Sequence, residues 1–234
     1  MECSLVIPCF NEEGTLELIL ENTKEPFLKN NIELILVNNG STDNTKNLLE
    51  KLINYYPHAR FVNLENNIGY GGGILHGLSS CKGDIIGWTH ADLQTDPLDC
   101  IRAFKNFSNA NCQKIFVKGN RINRPLFDQF FTFGMSIFES ILLKKIIYDI
   151  NAQPTLFSKT FYESWVNPPQ DFSLDLYAYY LALKKGFKIK RIKVSFYKRI
   201  SGISKWNTNF LSKLKFIFRT IKFSLRLKYE KRFS

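Results

Sequence analysis

The feature that most constrains this chain is a regular alternation of β-prone runs and helix-prone runs over residues 3–90. "CSLVIPC" (3–9), "IELILVNN" (32–39), "ARFVNL" (59–64) and "GDIIGWTH" (83–90) are short and apolar. Between them lie "NEEGTLELILENTKE" (11–25), "GSTDNTKNLLEKLINYY" (40–56) and "NNIGYGGGILHGLSSC" (66–81), which open on cap or glycine residues and continue as helical patterns. Asn11 is the candidate cap of the first. Strand, helix and strand joined by short connections imply a mostly parallel sheet covered by helices, an α/β fold. In such sheets ligands bind beyond the carboxyl ends of the strands. The polar segments "VIPCFNEE", "LVNNGSTD" and "GWTHADLQ" all fall at those ends.

After residue 97 the alternation loosens. Residues 98–109 read as a helix and "KIFVKGNR" (114–121) as a strand. Residues 127–148 are apolar and aromatic, but Asp128, Glu139, Lys144 and Lys145 interrupt them, so they read as a helix lying on an apolar partner. "DINAQPTLFSKTF" (149–161) reads as loop and turn. "PPQDFSLDLYAYYLALKKG" (168–186) reads as a helix closed by Gly186, and "FKIKRIKVSFYKR" (187–199) as a strand with one wet face. There is no internal repeat. One domain over 1–206 and a tail over 207–234 are expected.

The 234 residues, 44% of them hydrophobic, suffice for one full core. No window reaches about 18 uncharged apolar residues, so no ordinary transmembrane helix is expected. Residues 1–10 lack a basic n-region, and no signal peptide is expected. The cysteines (Cys3, Cys9, Cys81, Cys100, Cys112) show no metal-pair spacing and read as reduced core thiols of a cytosolic protein. Charge is uneven: residues 184–234 hold 17 of the 32 Lys and Arg but one of the 21 acids, Glu230. In the tail, Leu211, Leu214, Phe218, Ile221 and Leu225 recur at helical spacing, joined by Phe210 and Ile217. Lys213, Lys215, Arg219, Lys222, Arg226 and Lys228 fill the rest. This basic amphipathic helix fits an anionic membrane surface; packing on its own domain is the alternative. No nucleic-acid module is recognisable.

Singly, the polar loops are weak signals. "NGSTDNT" is a turn and cap, and "NIGYGGG" either cradles a phosphate or lets a helix approach the sheet. In order, "VIPCFNEE", "ILVNNGSTDNT", "NIGYGGGILHGLSSCKGDII" and "HADLQTDP" resemble the inverting family 2 glycosyltransferases of GT-A fold. Within that family the chain looks most like the dolichyl- and polyprenyl-phosphate sugar transferases. "KGNR" (118–121) resembles the family's strand ending in Gly-x-Arg, "DINAQPTLF" (149–157) stands at its acceptor loop, and "RISGISK" (199–205) resembles its Arg-x-x-Gly-x-Ser-Lys segment.

The resemblance implies a role for each matching position. Pro8, Phe10 and Glu12 would hold the nucleotide, with Asn38 and Asn39 where the family has two acids, and Gly69 and Ala91 on the same nucleotide-sugar surface. Asp92 matches the second acid of Asp-x-Asp, which binds Mg or Mn at the diphosphate; Gln94 matches a further ligand, and His90 stands at the first acid as a third candidate. Arg121, Arg199, Ser204 and Lys205 would meet acceptor or donor phosphates. The expected donor is a UDP- or GDP-sugar and the expected acceptor a polyprenyl phosphate, at the cytoplasmic face of a membrane. A lipid phosphate needs no general base, whereas a glycan hydroxyl would need a carboxylate. Asp171 and Asp175 are the candidates, Asp175 being otherwise a surface acid. Three departures stand out: His90, the Asn38–Asn39 pair, and Gln153-Pro154 in the acceptor loop. They motivate a further alternative, a non-catalytic nucleotide-sugar-binding homologue.

Overall fold

The computed structural model describes residues 2–107, 114–123, 126–199 and 210–229. Seven strands form one sheet: β1 (Cys3–Cys9), β2 (Ile32–Asn39), β3 (Ala59–Leu64), β4 (Ile85–Trp88), β5 (Ile115–Ile122), β6 (Thr155–Ser158) and β7 (Lys188–Ser195). Their order is β3-β2-β1-β4-β6-β5-β7. β1 pairs in parallel with β2 and β4, β2 with β3, and β5 with β7, while β6 runs antiparallel to both neighbours. The sheet is therefore mixed, and mostly parallel as expected.

The period of two in the central strands sorts their side chains between two cores. Leu5, Ile7, Leu34 and Leu36 face one, with α1 (Leu16–Lys29), α2 (Thr45–Leu52) and α4 (Asp99–Phe104) above them. Val6, Ile35, Val37, Ile86 and Trp88 face the other, under α3 (Tyr70–Ser79), α6 (Lys159–Glu163) and α7 (Leu174–Lys184). α3 lies close on the sheet because Gly77 has no Cβ; one built there would sit 2.4 Å from Val6 Cγ1. Gly186, at φ +73°, follows α7 as expected. Cys3, Cys9, Cys81 and Cys100 are buried free thiols; Cys112 lies outside the described residues.

Two expectations need correction. Asn11 is not a helix cap: it sits at φ 59°, and α1 starts only after Thr15. Residues 149–161 are not all loop, because Thr155–Ser158 form β6, fully buried between β4 and β5, and α6 follows. The tail helix, α8 (Phe210–Tyr229), packs against α5 (Leu126–Leu143). Phe223 and Leu227 are 9% and 4% exposed, whereas Phe218 of the stripe is 68% exposed. Ser224 Oγ donates to Glu139 Oε1 at 2.6 Å across the α5–α8 contact. Among the described residues no helix is long and apolar enough to cross a membrane.

Candidate active site

The loops after β1 and β2 are zipped together at the carboxyl edge of the sheet. Asn11 N–H donates to Ser41 Oγ at 3.1 Å, and Thr42 N–H donates back to Asn11 Oδ1 at 2.8 Å. Glu12 N–H donates to Thr45 Oγ1 at 2.9 Å. These bonds hold residues 10–13 out of the helix and present Glu12 beside the strand ends. Pro8 and Phe10, at the end of β1, are half-buried.

Asn38 and Asn39, the expected nucleotide contacts, are almost wholly buried and their amides hold loops. Asn38 Nδ2 donates to Asn63 Oδ1 at 2.7 Å, and its Oδ1 accepts Ser41 N–H at 3.2 Å. Asn39 Nδ2 donates to Gly69 O at 2.9 Å, and its Oδ1 accepts Ile68 N–H at 3.1 Å. An acid could not make the donations. Gly69 itself has φ +88°, and a Cβ there would stand 2.5 Å from Gln170 O. The turn thus seats α3 against the loop before α7.

Beyond β4 the chain turns through residues 89–95. Ala91 joins the core. Asp92, 7% exposed, accepts Gln94 N–H on Oδ1 at 3.1 Å and Arg199 on Oδ2 at 2.7 Å. Gln94 is tied twice to the segment after β7: Tyr197 N–H donates to Gln94 O at 2.8 Å, and Gln94 Nε2 donates to Tyr197 O at 3.3 Å. Glu12 belongs to the same group. Burial pushes its carboxyl up to about 7; Arg199 opposes that shift and Asp92 adds to it. Glu12, Asp92, Gln94 and Arg199 therefore converge from three separate strand ends. Ser204 and Lys205 lie outside the described residues.

His90 stacks on Tyr70 at 5.6 Å between centroids, and Tyr70 stacks on Phe172 at 4.5 Å. Burial lowers the imidazole's proton affinity, against the pull of Asp92 and Asp175. The imidazole thus sits in an aromatic stack where the resemblance implies a carboxylate.

Below the site lies a polar cluster that sequence reasoning missed. Lys118, fully buried in β5, donates to Thr155 Oγ1 at 2.9 Å and to Asp175 Oδ1 at 3.3 Å. Gln153 Nε2 donates to the same Asp175 oxygen at 2.6 Å and its Oε1 accepts Thr155 Oγ1–H at 2.9 Å. Burial brings the Lys118 ammonium down to about 8, although Asp175 favours its charge. Asp175 is 2% exposed, so it is no surface acid. The signal was a lysine inside the otherwise apolar run "IFVKG" and an acid in the first turn of the helix "LDLYAYYLALK". Arg121 is likewise engaged. Its Nε donates to Asp149 Oδ1 at 3.0 Å, and its backbone N–H to Asp149 Oδ2 at 3.1 Å. This clasp ties β5 to the segment that leads into β6.

Among the described residues no three His, Cys, Asp or Glu side chains form a metal cage. One carboxylate and one amide at residues 92 and 94 still suit a hard cation that draws its remaining oxygens from a diphosphate and water. The residues present fit such a shared cation, and do not fit a resident one held by protein alone.

Residues 4–164 match glycosyl transferase family 2. The undecaprenyl-phosphate 4-deoxy-4-formamido-L-arabinose transferase of Proteus mirabilis is 38% identical over 97 residues, 40% of this chain and 30% of that one. The dolichol-phosphate mannosyltransferase of Pyrococcus furiosus is 27% identical over 150 residues, 62% of this chain and 42% of that one. The matched stretches thus span less than half the length of these relatives. Glucosyl-3-phosphoglycerate synthase from Mycobacterium tuberculosis, crystallised with Mn2+, UDP and glucosyl-3-phosphoglycerate, superposes with a TM-score of 0.70 at 17% identity, over 97% of this chain and 79% of that one. The fold is that of the GT-A glycosyltransferases, and the chain belongs to glycosyl transferase family 2.

Proposed function

We propose that the chain moves a sugar, with inversion, from a UDP- or GDP-sugar to a polyprenyl phosphate at the cytoplasmic face of a membrane. The observation that carries this reading is the convergence of Glu12, Asp92, Gln94 and Arg199 at one sheet edge. Its support from relatives is that both curated transferases named above act on polyprenyl-type phosphates by their names.

Asp92 and Gln94 would hold Mg2+ or Mn2+, which supplies stabilisation of the charge that builds on a leaving diphosphate. With such a cation held at Asp92 and Gln94, Arg199, which otherwise pairs with Asp92, would be available to a phosphate. An acceptor phosphate oxygen attacks the anomeric carbon as its bond to the diphosphate breaks. That oxygen is already anionic, so no base is needed. The surroundings of Asp171 and Asp175 do not suit either to activate a glycan hydroxyl. Asp175 is buried and accepts from Lys118 and Gln153, and Asp171 Oδ2 lies 3.4 Å from Arg219 Nε. Neither is poised to take a proton from a substrate. Arg121, held by Asp149, acts in this reading by fixing the acceptor-loop segment and by its field.

Membrane attachment rests on the outward faces of α5 and α8. Phe130, Phe133 and Ile141 of α5 are 79%, 56% and 74% exposed, and Phe218 and Tyr229 of α8 are 68% and 70% exposed. Apolar groups so exposed beside a basic helix suit the boundary of an anionic bilayer.

Calorimetric titration of UDP- and GDP-sugars, with Mg2+ or Mn2+ present or absent, tests the donor half. Metal-dependent binding that Asp92→Ala removes is expected. Donor binding with no transfer to any acceptor would favour the non-catalytic nucleotide-sugar-binding homologue, and no binding under either metal would overturn the donor half of the proposal.

A further inference from the structure

The segment that leaves β7 is pinned beside the candidate site. Phe196 N–H donates to Ile122 O at 3.3 Å, so the segment departs still attached to β5. Tyr197 follows, and Gln94 holds its main chain twice. The Tyr197 N–H donates to Gln94 O at 2.8 Å, and its carbonyl accepts Gln94 Nε2 at 3.3 Å. Two residues on, Arg199 reaches Asp92 Oδ2 at 2.7 Å. The Phe196 ring is taken up by Arg121, whose guanidinium carbon lies 5.4 Å from its centre. The Tyr197 ring is 59% exposed; among the described residues it has no stacking partner and its hydroxyl no hydrogen bond. An aromatic ring carried on a fixed main chain offers a large amphipathic contact at little conformational cost.

The strand order points to what covers this ring. Pro8, Phe10 and Glu12 stand at the end of β1, Asp92 and Gln94 follow β4, and Tyr197 follows β7, the far edge in the order β3-β2-β1-β4-β6-β5-β7. A nucleotide lying at β1, with its diphosphate on a cation at Asp92 and Gln94, therefore directs the group beyond the diphosphate toward Tyr197. In a nucleotide sugar that group is the sugar, whose ring carries C–H groups on its faces and hydroxyls at its edge. An aromatic face with a phenol at its tip matches both.

We propose that Tyr197 is a donor-contact residue whose ring lies against the transferred sugar. The placement rests on the donor half of the function proposed above. The bonds to Gln94 use main-chain atoms of Tyr197, so replacing its side chain leaves them in place.

The test is calorimetric titration of the full chain, with Mn2+, by UDP-glucose, UDP-galactose, UDP-N-acetylglucosamine and GDP-mannose, and by UDP and GDP alone. Tyr197→Ala is expected to weaken the best-bound sugar nucleotide about fivefold and to leave its nucleoside diphosphate unchanged. Tyr197→Phe keeps the ring and should stay within about twofold of the unsubstituted chain. Three results would overturn the contact while leaving the donor reading intact: unchanged binding of every sugar nucleotide by Tyr197→Ala, an equal loss for sugar nucleotide and diphosphate, or a loss in Tyr197→Phe as large as in Tyr197→Ala. An unsubstituted chain that binds none of the sugar nucleotides would overturn the donor reading and the contact with it. Circular dichroism checks that both variants keep the fold, as the exposure of Tyr197 leads one to expect.

Discussion

Asn39 uses both ends of its amide, giving a hydrogen to Gly69 O and taking one from Ile68 N–H. Asn39→Asp therefore sets a carboxylate against a carbonyl in a buried position and is expected to cost about 1–3 kcal/mol in urea unfolding. This holds although the substitution restores the acid that the family pattern would have there. An unchanged midpoint would mean that the amide does not hold the turn. Lys118 offers a second test. Lys118→Met leaves Asp175 buried without its cation, a loss of roughly 3–5 kcal/mol. Lys118→Met with Asp175→Asn should recover part of it, because Gln153 can still donate to the remaining amide oxygen. Full additivity of the two changes would show that the pair is not coupled. At this scale the sequence marked residues 90–94 well, because a cluster of polar groups after an apolar strand is visible in one dimension. It hid the pairings of Lys118, Gln153 and Asp149, because their partners lie 57, 22 and 28 positions away and only the folded sheet brings them together.

The elements were legible where the pattern was long and regular. β3 ran over the expected 59–64, and the expected strands at 3–9 and 32–39 appeared without shift. β6 was hidden because four residues, buried on both faces, show no alternation, and Gln153-Pro154 before them reads as a turn. α8 falls within the expected tail, whose stripe of seven apolar residues was read as facing a membrane. Phe223 and Leu227 lie outside that stripe and are buried. Phe223→Ala is expected to cost about 3 kcal/mol. Phe218→Ser should leave stability within about 0.5 kcal/mol while weakening partition onto anionic vesicles about tenfold. The reverse pattern would exchange the two faces. The contact also carries a proton. Burial pushes Glu139 up to about 7 from 4.5, Ser224 donates to its Oε1, and its Oε2 is buried without a hydrogen-bond partner. The folded state keeps a proton that the unfolded chain releases near 4.5. Its contribution is therefore full below that pH and is lost as pH rises to about 7. Chemical denaturation across this window should show the decline, and Glu139→Gln should flatten it. A slope unchanged in Glu139→Gln would place its origin elsewhere, with Glu12, also raised to about 7, as the next group to vary.

Across the whole molecule, charge and shape give the chain a direction. Residues 184–234 hold most of the excess positive charge, and α8, which carries part of it, leans on α5 beside outward-facing aromatic and aliphatic groups. Such a surface suits a chain that meets a soluble donor at the sheet edge and an acceptor delivered from a bilayer. The most direct measurement is transfer from radiolabelled UDP- and GDP-sugars to a short polyprenyl phosphate in detergent, with Mg2+ or Mn2+. A lipid-linked product is expected, lost on Asp92→Ala and retained on Asp171→Asn. Label passing only to a saccharide, or no transfer from any donor that binds, would contradict a lipid phosphate acceptor.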